Sequence, residues 1–542
     1  MPAAEDGLAA TPPDPGPGRQ SDPDATAGAD PSTPATGTSA TGTPATGTSR
    51  TTVARTMIAS IVRAALPPLV AVVTLPIVLG RVSLSDYGLW ATITGLIGVL
   101  ATIDAGLATD VSRKVAAARG ADDSAGVVRA GRHGLMVAVL MGAVIMPVAA
   151  LLGWPIIQLV APPSDFNTGI TLWLGVIVYQ SIGWYYAILA SVVTGLQRGD
   201  VANAVNAMGA LVGAGVTVAA VLIGWQVYGL LAGMFALGIA TTLGHMRATR
   251  RFTGTTAIWR PSRLPSAAAR AIAVSAVALA SMQASLLIEP AVAKALLSAL
   301  DGPEAAAAMQ LGFTVTRLAL IAAMAPTAAI LVGVSEWREH QSDRILGLVR
   351  NASLASLALV GVLAAVMLAS GPYLAEAWLG IEVPGIGVAI RGLSVVAVAT
   401  IVVWLFTQTL LGHGNTRAVT VRLVIGTGVA LVGMAIGAPT AGLAGVIAAS
   451  FVGACTAAAL LSRIDGEYSG VIWRATARMA PAMVSLGIVG AVVTDRWGPT
   501  GRWASAAGAV VAGVVAVGLA WVLLPSSTRG LMVRTVRGRT RG

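Results

Sequence analysis

From Met57 to about residue 524 the chain is a succession of apolar stretches, most of them roughly 18 to 25 residues long, separated by short polar or Gly-rich turns. At 1.5 Å per helical residue, each is long enough to cross a hydrocarbon layer about 30 Å thick. Lipid offers the backbone no hydrogen-bond partners, so such stretches must be helices. The pattern predicts about fourteen transmembrane helices, near 58–80, 89–109, 134–152, 170–193, 203–223, 227–246, 271–292, 307–334, 351–370, 386–411, 419–437, 441–461, 477–494 and 503–524.

Residues 1–52 depart from this pattern. They are Pro, Gly, Ala, Ser, Thr and Asp with almost no large apolar side chain, and so are predicted to be a disordered cytoplasmic tail. The tail has neither the basic start nor the early apolar stretch of a secretory signal.

Composition sharpens the class. Apolar residues make up 55% of the chain and charged residues 11%, a balance that excludes a water-soluble globule. The net charge of +11 does not point to nucleic acid, because the arginines sit in short loops between apolar runs rather than on one face of a soluble module. Their distribution sets an orientation. One side is Arg-rich: Arg113, Lys114, Arg119, Arg129 and Arg132, then Arg247, Arg250, Arg251, Arg260, Arg263 and Arg270, and every second loop thereafter to the basic end at 527–542. The alternate, Arg-poor loops carry Arg81, Lys294, Arg496 and Arg502. The Arg-rich side is expected to be cytoplasmic, with both termini on it and the chain in the inner (plasma) membrane. The single cysteine, Cys455, lies in an apolar segment and permits no disulfide within the chain.

Two pairs of segments look alike. Gly195-Leu196-Gln197-Arg198-Gly199-Asp200 matches Leu410-Leu411-Gly412-His413-Gly414-Asn415, about 215 residues later, and Tyr228-Gly229-Leu230-Leu231-Ala232-Gly233 matches Ala441-Gly442-Leu443-Ala444-Gly445. Helices 1–6 (53–250) and 7–12 (251–465) therefore read as two six-helix lobes, with helices 13–14 (466–526) as an addition. Six is an even number, so the copies run in the same direction, a parallel repeat about an axis along the membrane normal and a transporter architecture.

With these features the sequence resembles the polysaccharide (O-antigen type, Wzx-like) flippases of the multidrug/oligosaccharidyl-lipid/polysaccharide (MOP) exporter superfamily. The resemblance rests on Leu75-Pro76-Ile77-Val78-Leu79-Gly80-Arg81, Asp86-Tyr87-Gly88-Leu89-Trp90, Ile103-Asp104-Ala105-Gly106-Leu107 with Arg113-Lys114, the turn Gly195–Asp200, and Thr316-Arg317. It covers residues 57 to 465 and implies an all-α polytopic membrane protein with a MATE/MOP-like fold, in which helices 1, 2, 7 and 8 line a central cavity. A fourteen-helix layout is also similar to the peptidoglycan-lipid flippases of that superfamily.

Charges within the spans are costly, at roughly 2.5 to 3.5 kcal/mol each, so they mark candidate sites. They are Arg63, Asp104, Glu289, Lys294, Arg317 and Arg391. Arg317 shares a helical face with Gln310 and Thr314 and is suited to gripping a phosphate or pyrophosphate bidentately, with a structural salt bridge as the competing role. Arg63 could receive the same anion at the inner mouth or snorkel to headgroups. Glu289 could bind H+ or Na+, or simply pair with Lys294; Asp104, placed within a turn of the cytosol, could do the same, cap a helix or contact Arg113. Pro67, Pro68, Pro76 and Pro326 are expected to bend helices 1 and 8.

The expected substrate-binding residues are thus Arg63, Arg317 and Gln310, with Glu289 and Asp104 as coupling-ion candidates. No catalytic residue, metal site or cofactor is expected, since the four histidines are dispersed and no H-E-x-x-H or P-loop occurs. The leading expectation is flipping of a polyprenyl-(pyro)phosphate-linked oligosaccharide, with the bilayer, that lipid, H+ or Na+ and glycan-biosynthesis proteins as partners. A cation-coupled small-molecule exporter, a membrane-embedded glycosyltransferase or polymerase, and a scaffold using the N-terminal tail are the alternatives.

Overall fold

The computed structural model describes Leu66, residues 69–262, 287–327, 330, 334, 342–497, 502–526 and 528–530. The described part of each of the fourteen predicted spans falls on helix. The first half of the chain contributes α1 (Leu69–Leu79), α2 (Leu84–Gly98), α3 (Ala101–Gly120), α4 (Ser124–Val160), α5 (Phe166–Gly195), α6 (Gly199–Leu222) and α7 (Val227–Thr253). The second half contributes α8 (287–300), α9 (Pro303–Met324), α10 (Ser342–Leu379), α11 (Ile386–Gly412), α12 (Thr416–Ser462), α13 (Gly466–Trp497) and α14 (Arg502–Leu523). α2 and α3 are one kinked span, because Val99 and Leu100 at the break keep helical dihedrals. α12 is two spans turned at Gly442. Length and hydropathy make this a multi-pass membrane protein.

Local chemistry sets the ends. Ser83 caps α2 by accepting the Asp86 N–H at 3.0 Å while donating to the Asp86 carboxylate at 2.7 Å, and Asp123 caps α4 through the Gly126 N–H. The basic loop expected after helix 2 is instead helical to Gly120 and again from Ser124. There Arg113 and Lys114 pair with Asp110 one turn back, at 2.9 and 2.6 Å, so the charges stabilise the helix rather than end it. α3 runs on past Asp104 to Gly120. Arg113 is engaged by Asp110.

The two matched turns recur in the backbone, but in a register that differs from the one the sequence suggested. At the first turn the N–H of Leu196, Gln197, Arg198 and Ala202 donate to Val192, Thr194, Val193 and Arg198. Those of His413, Gly414, Asn415 and Val419 donate to Thr409, Leu411, Leu410 and Asn415, the same pattern 217 residues on (414 − 197 = 217). At the second turn Gln226 (φ 48, ψ −133) and Gly442 (φ 53, ψ −132) share one unusual backbone conformation, 216 residues apart (442 − 226 = 216). By letters the two turns align on their glycines, whereas in the first copy the left-handed positions are held by Gln197 and Gln226.

Two prolines create inter-helix contacts. Proline has no N–H, so the carbonyl four residues before it is left free inside the helix. Pro76 frees the Val72 carbonyl, which accepts the Trp378 indole N–H at 2.6 Å. Pro372 frees that of Leu368, which accepts Arg391 Nε at 3.0 Å. The Arg391 guanidinium also grips Asp495 of α13 bidentately at 2.9 and 2.6 Å, so this intramembrane charge is a structural tie between α11 and α13. α13 and α14 pack on α10. Pro326 lies in the 3-10 turn Ala325–Thr327 that closes α9.

Candidate functional site, the seam between the halves

Among the described residues, the halves of the chain meet chiefly where α2 lies against α9. Small residues make this possible: a methyl group added at Gly88 would fall 1.7 Å from the Pro303 carbonyl oxygen, and one at Gly95 would fall 2.7 Å from Lys294 Nζ. Gly88, Thr92 and Gly95 lie on one face of α2 by their spacing of four and three residues. Thr92 is fully buried there, its hydroxyl without a hydrogen-bond partner among the described residues. Among the described residues, two side-chain bonds cross the seam near this end, Ser298 Oγ to the Val160 carbonyl at 2.7 Å and Trp378 to Val72. All of these contacts sit toward the Arg-poor side. α3, the continuation of α2 toward the Arg-rich side, packs on α4 and α5 of its own half.

Lys294 is a buried helical residue of α8, not a loop residue, and it does not pair with Glu289. Its ammonium donates to Gln310 Oε1 of α9 at 2.8 Å and touches Gly95 of α2. Glu289 lies five residues earlier, about 140° around the helix, and its carboxyl stands beside the Ser450 hydroxyl of α12, inside the second half. The expected Glu289–Lys294 pair fails for this angular reason.

Gln310, Thr314 and Arg317 do form one stripe of α9. Gln310 is engaged by Lys294, and Thr314 is buried and donates to the Gln310 carbonyl at 2.9 Å. Arg317, two turns or about 10 Å farther toward the Arg-rich side, is exposed and joins none of the ion pairs among described residues. Seven residues bring a helix back to within about 20° of the starting direction, so Arg317 continues the line that Gln310 begins at the seam. Asp104 lies on the first turn of α3, and its side chain is outside the described residues, as is the whole of Arg63. Thr92 is the seam residue that sequence reasoning missed, and Lys294, a candidate there, has Gln310 as its partner in place of Glu289. The signal available for Thr92 was the Gly88/Gly95 spacing of seven on the same helix.

No protein-family model matches the sequence, and no curated protein is similar to it. Solved structures are similar. An inward-facing multidrug resistance MATE family transporter of the MOP superfamily aligns with a TM-score of 0.54 at 16% identity, over 79% of this chain and 99% of that one. An outward-facing one aligns at 0.52 and 16%, over 79% and 96%. A MOP superfamily transporter from Pyrococcus furiosus, described as having a binding pocket of reverse polarity, aligns at 0.52 and 15%, over the same shares. The seam described above thus lies within a chain that has the fold of the MATE transporters of the MOP superfamily.

Proposed function

We propose that this protein is a membrane transporter that carries a phosphate-bearing headgroup, that of a polyprenyl-(pyro)phosphate-linked oligosaccharide, between leaflets by alternating access, in the making of cell-surface polysaccharide. In this reading the Arg-rich side is cytoplasmic, the halves rock about the α2–α9 seam, and the lipid tail stays in the bilayer. The observation that carries it is Arg317: an exposed guanidinium, free of described carboxylates, on the α9 stripe whose other end is sealed against α2. A cation held on that line offers an anionic headgroup a polar path through hydrocarbon, and its planar fork suits phosphate. Arg63 would meet the same anion first, and Gln310 would present its remaining amide hydrogens. Glu289 and Asp104 stay as coupling-ion candidates.

The test is flipping of a fluorescent short-chain polyprenyl-pyrophosphate oligosaccharide in proteoliposomes, read by an impermeant quencher. Arg317→Ala should lower the rate at least about tenfold with folding intact, and Arg317→Lys should retain part of it. Full flipping by Arg317→Ala would refute the role.

A second reading, a cation-coupled small-molecule exporter, is favoured by the placement of Glu289 beside Ser450 inside the second half. Dye efflux abolished by Glu289→Gln, with no flipping of the lipid-linked glycan by the unaltered protein, would select it.

A further inference from the structure

The turn between α11 and α12, far along the chain from the seam, forms a concavity of about 420 Å³ lined by Gly414, Asn415, Arg417, Ala418, Val421 and Arg422. We propose that it binds the headgroup of an anionic phospholipid from the Arg-rich leaflet.

Three features carry this. First, the lining contains two guanidiniums and no carboxylate, and neither arginine is in an ion pair with a described residue. Second, Arg422 is half-buried and already aimed. Its Nε donates to the Leu460 carbonyl at 3.0 Å and its Nη1 to the Ala418 carbonyl at 3.1 Å. Both acceptors are uncharged, so the full positive charge and three of the five N–H donors remain for an anion. Third, Val421 of the lining begins an apolar track. Val421, Ile425, Val432 and Ile436 are all exposed, and their spacing of four, seven and four puts them within about 60° of one another along α12.

A phosphate on Arg417 and Arg422 would therefore have its acyl chain laid along these side chains, an arrangement that a free phosphate does not need and a phospholipid uses in full. Basic recesses between membrane helices at the headgroup level are suited to this chemistry. The inference is independent of what the seam carries.

Native mass spectrometry of the full chain in detergent, titrated with phosphatidylglycerol or phosphatidylcholine, tests it. The unaltered protein should retain phosphatidylglycerol in preference, and Arg417→Ala with Arg422→Gln should bind it about 30-fold more weakly. Arg129→Ala, a loss of one positive charge in the other half, should leave retention unchanged. Val421→Asn with Ile425→Asn should weaken phosphatidylglycerol binding too. Should the double arginine variant not fold, Arg417→Ala alone, on an exposed side chain, should still show roughly a fivefold loss. Equal retention by the arginine variants and the unaltered protein would overturn the site. Displacement of phosphatidylglycerol by inorganic phosphate at matched concentration would overturn its assignment to a lipid.

Discussion

The two ends of the α9 stripe differ. Toward the Arg-poor side, Pro303, Ala307 and Thr314 are buried, and the backbone of α2 comes within reach of the backbone of α9 because Gly88 has no side chain. Two turns beyond Gln310, Arg317 is exposed. In the proposed mechanism one helix face is both gate and binding surface: small residues and desolvated polar groups close one end, and a charge that cannot be sealed against lipid marks the other.

The most severe way to break this contrast is Gly88→Leu. The added side chain collides with the Pro303 carbonyl, which is backbone and cannot turn aside, so the Arg-poor end should be held open and transport lost. In a Cys455→Ala background, Ala307→Cys should then react with an impermeant thiol reagent that the unaltered seam excludes.

Next comes Gln310→Leu, which strips the buried Lys294 ammonium of its acceptor. It should lower stability by about 2 kcal/mol, whereas Lys294→Met with Gln310→Leu should recover most of that by removing both polar groups together. Equal thermal stability of the single and double variants would sink the account.

Trp378→Phe removes one bond across the seam and should cost about 1 kcal/mol. Pro76→Ala should cost less, since it returns an N–H to compete for the Val72 carbonyl without deleting the indole. As a control away from the seam, Gln226→Gly relieves a backbone strained at φ 48 and should raise stability by about 1 kcal/mol with transport unchanged.

Much of the fold was legible in the chain. Apolar run length gave the spans, since the bilayer imposes one length on every helix, and loop arginines gave an alternation that fits the helix count. The existence of a repeat was also readable. Its register was not, because the unusual backbone angles of Gln226 and Gln197 are set by the packing of the turns and not by residue type.

The site divides in the same way. By itself the sequence determined which charges lie within the spans, and that Gln310, Thr314 and Arg317 share a face, because helical spacing alone fixes both. Only the tertiary structure decided their partners. It turned Lys294 to Gln310 and away from Glu289, gave Arg391 to Asp495, and set Trp378 against a carbonyl that a proline had freed. Side-chain pairing depends on which helices adjoin and how each is rotated, and that is settled by packing among residues hundreds of positions apart.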